Sequence, residues 1–233
     1  MVINVSDSEN SANNILYLQS SLGEILSNAN CNLTRYENSS RSGLKLNCPE
    51  HYGDIIKTEV CDKVAEIVAI NYKYNFFKNN IKVSGLNQLE KEILYASLIA
   101  ADLPEDKRYC FEKYKDLEEI AVDGVFNFRL IPLKKKWNEI ASYMPTCFIS
   151  SQLKDFIKYL IEKKRKRAYI DCGKVYDSHY RRLKRVELLG GDKAKIVREV
   201  LLSNSGEIEV NGKLPEEDEY YLKEFFGERV FFN

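Results

Sequence analysis

Apolar residues recur along this chain with two different periods, and each change of period marks an expected element. Val2-Ile3-Asn4-Val5 reads as a short strand. Between Ser8 and Asn28, Ile15, Leu18, Leu22 and Leu26 fall three or four apart, the spacing of one helix face. Residues 32–37 and 43–47 then alternate as two strands, joined by the turn-forming stretch Asn38-Ser39-Ser40-Arg41-Ser42-Gly43. From Asp54 the period is helical again: Val60, Val64, Ile67, Val68, Tyr72 and Phe76 form one stripe on a helix that runs to about residue 80. Ser84-Gly85 breaks it, and Asn87 is placed to cap a second helix carrying Leu89, Ile93, Ala96 and Ala100 inward.

That helix is expected to stop before Pro104, with a shorter one over Glu105–Leu117. Asp123-Gly124 reads as a turn, followed by a helix bearing Phe126, Leu130 and Leu133, which Pro132 disturbs unless it lies in a first turn. Trp137, Ile140 and Tyr143 continue the stripe. Ser151 to about Lys164 is amphipathic, with Leu153, Phe156, Ile157 and Leu160 on one side. Beyond it, 168–172 and 175–180 form a hairpin around Gly173, and 185–189 is a further candidate strand. Asp192 is expected to cap a helix through Leu202, and 207–210 alternates as a strand. Leu214-Pro215-Glu216-Glu217-Asp218 opens a helix that Gly227 closes, and 229–232 is a terminal strand.

The elements add up to an α+β chain, a mainly helical centre flanked by small α/β segments at both ends. The expected subdivision is a β-α-β-β segment over 1–50, a helical core over 51–167 and an α/β segment over 168–233. Composition agrees: 44% apolar and 30% charged residues in 233 are enough to bury a core and wrong for a disordered chain. No run of about 18 apolar residues is present to cross a bilayer. The first residues lack a basic and then apolar leader, so the expected location is cytoplasmic.

Chemistry is sparse. The only histidines are His51 and His179, and no Gly-x-Ser-x-Gly accompanies them, so no catalytic residue is assigned. Six cysteines (31, 48, 61, 110, 147 and 172) include no Cys-x-x-Cys pair. Cys48-x-x-His51 followed by Cys61 falls short of a four-ligand zinc set, so neither metal nor cofactor is expected. These thiols read as free, mostly buried small hydrophobes. Gly190-Gly191-Asp192-Lys193 before a helix starts like an anion site but lacks the rest of a nucleotide fingerprint.

Formal net charge is zero but unevenly spread: residues 134–198 hold 18 Lys and Arg against 7 acids, and residues 207–228 hold 8 acids against 2 lysines. The densest run is Lys163, Lys164, Arg165, Lys166 and Arg167, with Arg181, Arg182, Lys184 and Arg185 to reinforce it. Such runs can contact nucleic acid or an anionic membrane surface by releasing counterions; the preferred reading of 163–167 is the solvated C-terminal end of a helix, where cations oppose the dipole.

One segment carries a family likeness. Asp123-Gly124-Val125-Phe126-Asn127-Phe128-Arg129-Leu130 resembles the Asp-Gly-Phe-x-x-Phe-Arg-Leu segment of the YtxC-like sporulation proteins of Firmicutes. Residues 154–160 and the terminal Phe225-Phe226-Gly227-Glu228-Arg229-Val230 resemble two further segments of that family, and the likeness spans roughly 55–233. Val125 stands where the family has Phe, and Pro132 interrupts the helix that follows. The resemblance implies a cytosolic, sporulation-associated factor acting through protein contacts, in a family with no established activity. The motif residues Asp123, Gly124, Phe126, Phe128 and Arg129 read as structural, Arg129 tying down a helix or loop through backbone carbonyls; the weaker alternative is an enzyme using Asp123, Arg129 and a cysteine or histidine brought near by folding.

Overall fold

A computed structural model describes residues 1–38 and 40–233; Ser39, in the turn expected before Gly43, lies outside the described residues. In chain order the elements are β1 (Val2–Ser8), α1 (Ala12–Asn28), β2 (Asn32–Glu37), β3 (Arg41–Asn47) and α2 (Gly53–Ile67). A π-helical turn, Val68–Tyr72, leads into α3 (Lys73–Asn80), then α4 (Gln88–Tyr114), β4 (Glu119–Ala121), α5 (Val122–Arg129) and α6 (Ile131–Tyr143). The chain ends with α7 (Ser150–Glu162), β5 (Arg167–Asp171), β6 (Lys174–Tyr176), α8 (Lys195–Leu202), β7 (Glu207–Asn211), α9 (Glu216–Phe226) and β8 (Val230–Phe232). The fold is α+β with a helical centre.

These elements form two compact units, each assembled from separate stretches of chain: Met1–Lys73 with Pro104–Glu139, and Tyr74–Leu103 with Ile140–Asn233. The patterning suggests consecutive segments; the units are interleaved instead.

In the first unit the sheet order is β2-β3-β1-β4, with β1 antiparallel to β3 and parallel to β4. Period-2 alternation sends Ile3 and Val5 of β1 and Leu44 and Leu46 of β3 into the core. There they join Ile15, Leu18, Leu22 and Leu26 of α1 and Val60, Val64 and Ile67 of α2. Tyr36 lies across the neighbouring strand on Gly43, where any Cβ would collide with the ring, so the glycine is required there.

Several expectations are corrected. Residues 119–121, left without an element by the pattern, form β4, a strand too short for periodicity to reveal. Asp123-Gly124 is the first turn of α5 and not a loop; an acid there meets the positive end of the helix dipole. The candidate strand at 185–189 is a 3₁₀ turn, because the Arg185 and Val186 N–H groups donate to the Glu199 carboxylate at 3.1 and 2.7 Å. Asp192 does not cap α8: Ala194 turns the chain through left-handed backbone, φ 45°, and the Val197 N–H donates to Asp218 Oδ1 at 3.0 Å. Around Pro104 the chain stays helical on both sides, and the break falls at Asp102, φ −132°. Pro132 sits in the first turn of α6, where its missing N–H costs nothing.

The first unit also buries charge. Lys73 Nζ donates to Asp106 Oδ2 at 2.7 Å, both residues being inaccessible to solvent, and Trp137 Nε1 donates to the same oxygen at 2.8 Å. Lys136 Nζ donates to Oδ1 at 2.6 Å. Nearby, buried Glu66 accepts from Tyr17 Oη at 2.7 Å and from Lys63 Nζ at 3.0 Å. Removing one member of such a set leaves an uncompensated charge and costs about 3–5 kcal/mol, whereas removing both can be close to neutral. Asp106→Ala is expected to destabilise the first unit by about that amount, and Asp106→Ala with Lys73→Met to recover much of it. Urea unfolding followed through Trp137, the chain's single tryptophan, measures both; a single-variant loss under about 1 kcal/mol would contradict the pairing.

Candidate functional site

The second unit is built on a sheet of order β6-β5-β7-β8, in which β5, β7 and β8 run parallel and β6 folds back antiparallel. The β5–β6 hairpin is a two-residue loop with both φ positive, 47° at Cys172 and 73° at Gly173, the geometry that matches strand twist. Connections between parallel strands cross right-handed, which places α8 and α9 on one side. Ala168, Ile170, Ile208 and Val210 are buried on that side.

Alternation puts Arg167, Tyr169, Tyr176, Glu207, Glu209 and Phe231 on the other face, where none is buried. Arg167 donates to Glu207 Oε2 at 2.9 Å and Glu209 Oε2 at 3.2 Å, and its guanidinium lies 5.5 Å from the centre of the Phe231 ring. Tyr169 is opposite Tyr176 in register and is stacked by Tyr180, ring centres 4.2 Å apart.

Register also decides where the basic run goes. Lys163, Lys164, Arg165 and Lys166 form the turn between α7 and β5, at the start of β5. Tyr176 pairs with Tyr169, so the loop from Asp177 to Arg181 leaves β6 at that same end. There Arg181 pairs with Asp177 at 2.9 Å, and Arg182 bridges back to Tyr176 through its backbone. The chain then runs back along β6, Leu183 N–H donating to the Val175 carbonyl, and carries Lys184 and Arg185 away from that end.

Several of these cations have structural duties. Arg165 Nη1 donates to the Glu162 and Lys164 carbonyls, and Arg229 donates to those of Ile161 and Glu162; together they close the C-terminus of α7. Arg185 Nη1 holds the Leu202 carbonyl at 2.9 Å. Lys163, Lys166 and Arg182 are exposed and have no side-chain partner among the described residues. A cavity of about 170 Å³ beside β6 has a mixed lining, Lys174, Arg182, Lys184 and Lys195 with Glu187 and Glu199. The Gly190-Gly191 loop is not an anion cradle, because its two carbonyls turn inward to accept from Arg198 at 3.0 and 3.1 Å.

In the first unit the Asp123 segment meets a second carboxylate. Asp7 ends β1 and Asp123 follows β4, so the two lie at the carboxyl ends of adjacent parallel strands, where α/β proteins commonly place ligands. Both are occupied by the chain itself. Asp123 Oδ1 accepts from Arg41 Nη2 at 2.5 Å, while Arg41 Nε donates to Ser6 Oγ at 3.1 Å. Asp7 is fully buried and accepts from Asn14 Nδ2 at 2.9 Å, Tyr72 Oη at 2.6 Å and the Ser8 N–H at 2.8 Å. Burial pushes its carboxyl above the usual range, against those hydrogen bonds and with help from the nearby Asp123 charge. Phe126 packs between the Tyr72 and Trp137 rings, 4.5 and 5.9 Å away. Gly124 sits in the first turn of α5. Phe128, 81% exposed, and Arg129 project to solvent, and Arg129 reaches no backbone carbonyl among the described residues.

The zinc-like trio does not converge on a shared centre: Cys48 and Cys61 are buried, and burial pushes the Cys61 thiol up to about 11, whereas His51 is exposed and packs against Tyr52. No three acidic, histidine or cysteine side chains gather as a metal site among the described residues, and no described helix is long and apolar enough to cross a membrane. Sequence reasoning misses Asp7, Tyr72 and Arg41 and the aromatic face of Tyr169, Tyr176, Tyr180 and Phe231. The Arg167-x-Tyr169 and Glu207-x-Glu209 alternation is a signal for part of that face. Compared with known proteins, the chain matches no family model, no curated protein and no solved structure.

The raised carboxyl of Asp7 has a pH consequence. Above its ordinary value of 3.8 the folded chain still holds a proton that the unfolded chain has released, so this group's stabilising contribution is greatest below 3.8 and declines as pH rises through the higher folded value. Denaturant unfolding of wild type and Asp7→Asn from about pH 3 to pH 7 isolates the effect; wild type is expected to lose stability relative to the variant as pH rises. A flat or rising difference would contradict it.

Proposed function

We propose that this chain works by binding nucleic acid at the basic end of the second unit's sheet. The observation that carries the reading is the register: it brings residues 163–166 to the same end as Arg181 and Arg182, and leaves Lys163, Lys166 and Arg182 free to meet phosphates. Between 163 and 185 there are ten Lys and Arg and two Asp, so the region keeps a large positive excess even with Arg165, Arg167 and Arg185 engaged internally.

Fluorescence anisotropy with a labelled oligonucleotide tests this at about 20 mM salt, where the electrostatic part is least screened. Binding that weakens with salt, and falls at least tenfold in a Lys163→Glu, Lys166→Glu, Arg182→Glu variant, is expected. The log–log salt slope should shrink by roughly 0.7–0.9 for each phosphate that the variant no longer neutralises. No binding at low salt, or equal binding to anionic lipid vesicles, would overturn it.

A second reading places the chain in the sporulation programme of endospore-forming Firmicutes, as a cytosolic factor acting through protein contacts. It rests on the resemblance of Asp123–Leu130 and on the exposure of Phe128 and the nearby Ile131, apolar surface of the kind that partners cover. Deleting the gene in a spore-forming host should lower the yield of heat-resistant spores, and Phe128→Ser with Ile131→Ser should reproduce the loss. Unchanged spore yield on deletion rejects this reading.

A further inference from the structure

We infer that the open face of the second unit's sheet is a stacking platform for the bases of a single-stranded nucleic acid, with the basic end holding its phosphates. The inference rests on the nucleic-acid reading above and deepens it by naming the strand state.

The face has the parts that single-strand recognition uses, flat aromatic rings beside a cationic track. Tyr180 is 65% exposed and lies nearly parallel to Tyr169, at 20°, so one side of its ring is backed by protein and the other faces solvent. Phe231 is 45% exposed and carries the Arg167 guanidinium on its ring. Tyr176 lies beside Tyr169 in register. From β6 to β8 the face crosses three strand intervals, about 14 Å, which suits two or three bases. Duplex bases are stacked on each other and offer no free ring face, so this surface discriminates against a double strand.

The loop that presents Tyr180 is organised in advance. Tyr180 adopts left-handed backbone, φ 57°, which is uncommon for a bulky residue. Asp177 fixes the loop: its Oδ1 accepts the His179 and Arg181 N–H groups at 2.8 and 3.0 Å, its carbonyl accepts the Tyr180 N–H at 3.0 Å, and its Oδ2 accepts from Arg181 Nε at 3.0 Å. Of the acids on the face, Glu207 and Glu209 are both engaged by Arg167, and Asp171 lies at the opposite end of β5, across from Lys174. The cationic surround repels a second copy of the same face and attracts a polyanion.

The test is anisotropy on the full chain with a fluorescein-labelled oligothymidylate of about 12 nucleotides and a duplex of the same length. The single strand is expected to bind at least tenfold more tightly. Tyr180→Ala is expected to weaken single-strand binding between about fivefold and about 150-fold, the worth of one stacked base, and to leave duplex binding unchanged. Tyr180→Phe keeps the ring and should retain affinity, and circular dichroism melting checks that both variants fold. Equal affinity for both strand states with Tyr180→Ala unchanged overturns the stacking platform but not the basic-end reading. No binding to either oligonucleotide overturns both. A wild-type dimer in sedimentation that Tyr180→Ala makes monomeric overturns the platform in favour of self-association.

Discussion

An ionised side chain in an apolar interior must meet an opposite charge or a full set of hydrogen bonds, and much of this structure is arranged around that requirement. In the first unit the Asp106 carboxylate gathers Lys73, Lys136 and Trp137, which lie 33, 30 and 31 residues away in sequence. The second half of α4 therefore cannot slide past the π turn or α6 without exposing a bare charge. The π turn adds one residue to the helical repeat just before Lys73, which changes the face that Tyr72 and Lys73 present. Tyr72 then reaches Asp7 at the end of β1. In the second unit the same rule acts through backbone groups: Glu199 holds the 3₁₀ turn, Asp218 caps α8, and Arg198 pins the diglycine loop.

This requirement also divides what the sequence reveals from what it hides. Long amphipathic helices are written locally, at spacings of three and four, and α1, α2, α7 and α9 lie where that pattern puts them to within a few residues. Partners of buried charge are written nowhere locally. Lys73 and Asp106 occupy helix positions where a solvated polar residue would look the same. Asp123-Gly124 shows the opposite failure: a dipeptide with strong turn preference becomes a helix start because β4 precedes it, and β4 itself is visible only through its pairing with β1. The interleaving of the two units is hidden for the same reason, since local periodicity reads in order along the chain.

The basic run is conspicuous in sequence, but composition overstates it in one respect and understates it in another. Arg165, Arg167 and Arg185 are engaged by helix carbonyls, strand acids and the end of α8, so they contribute charge more than accessible donors. The Asp177–Arg181 loop, by contrast, comes to the same end of the sheet only because β6 folds back on β5. The zero net charge of the whole chain is thus uninformative about the surface, since many of the acids that balance it lie elsewhere, four of them in the first turn of α9.

Tyr180 separates a working surface from a merely solvated one. Left-handed backbone at a non-glycine residue costs about 1–3 kcal/mol and persists where its surroundings hold it. Here four hydrogen bonds converge on Asp177 to do so, and the outcome is a large ring held mostly in solvent. Stability alone would favour a glycine or asparagine at that backbone and a buried ring. The arrangement loses on both counts, in strain and in exposed apolar area, unless something flat covers the ring. A surface that combines that ring with uncommitted cations on its rim is complementary to a planar group attached to a phosphate, which a base in a single strand is and an aliphatic protein surface is not.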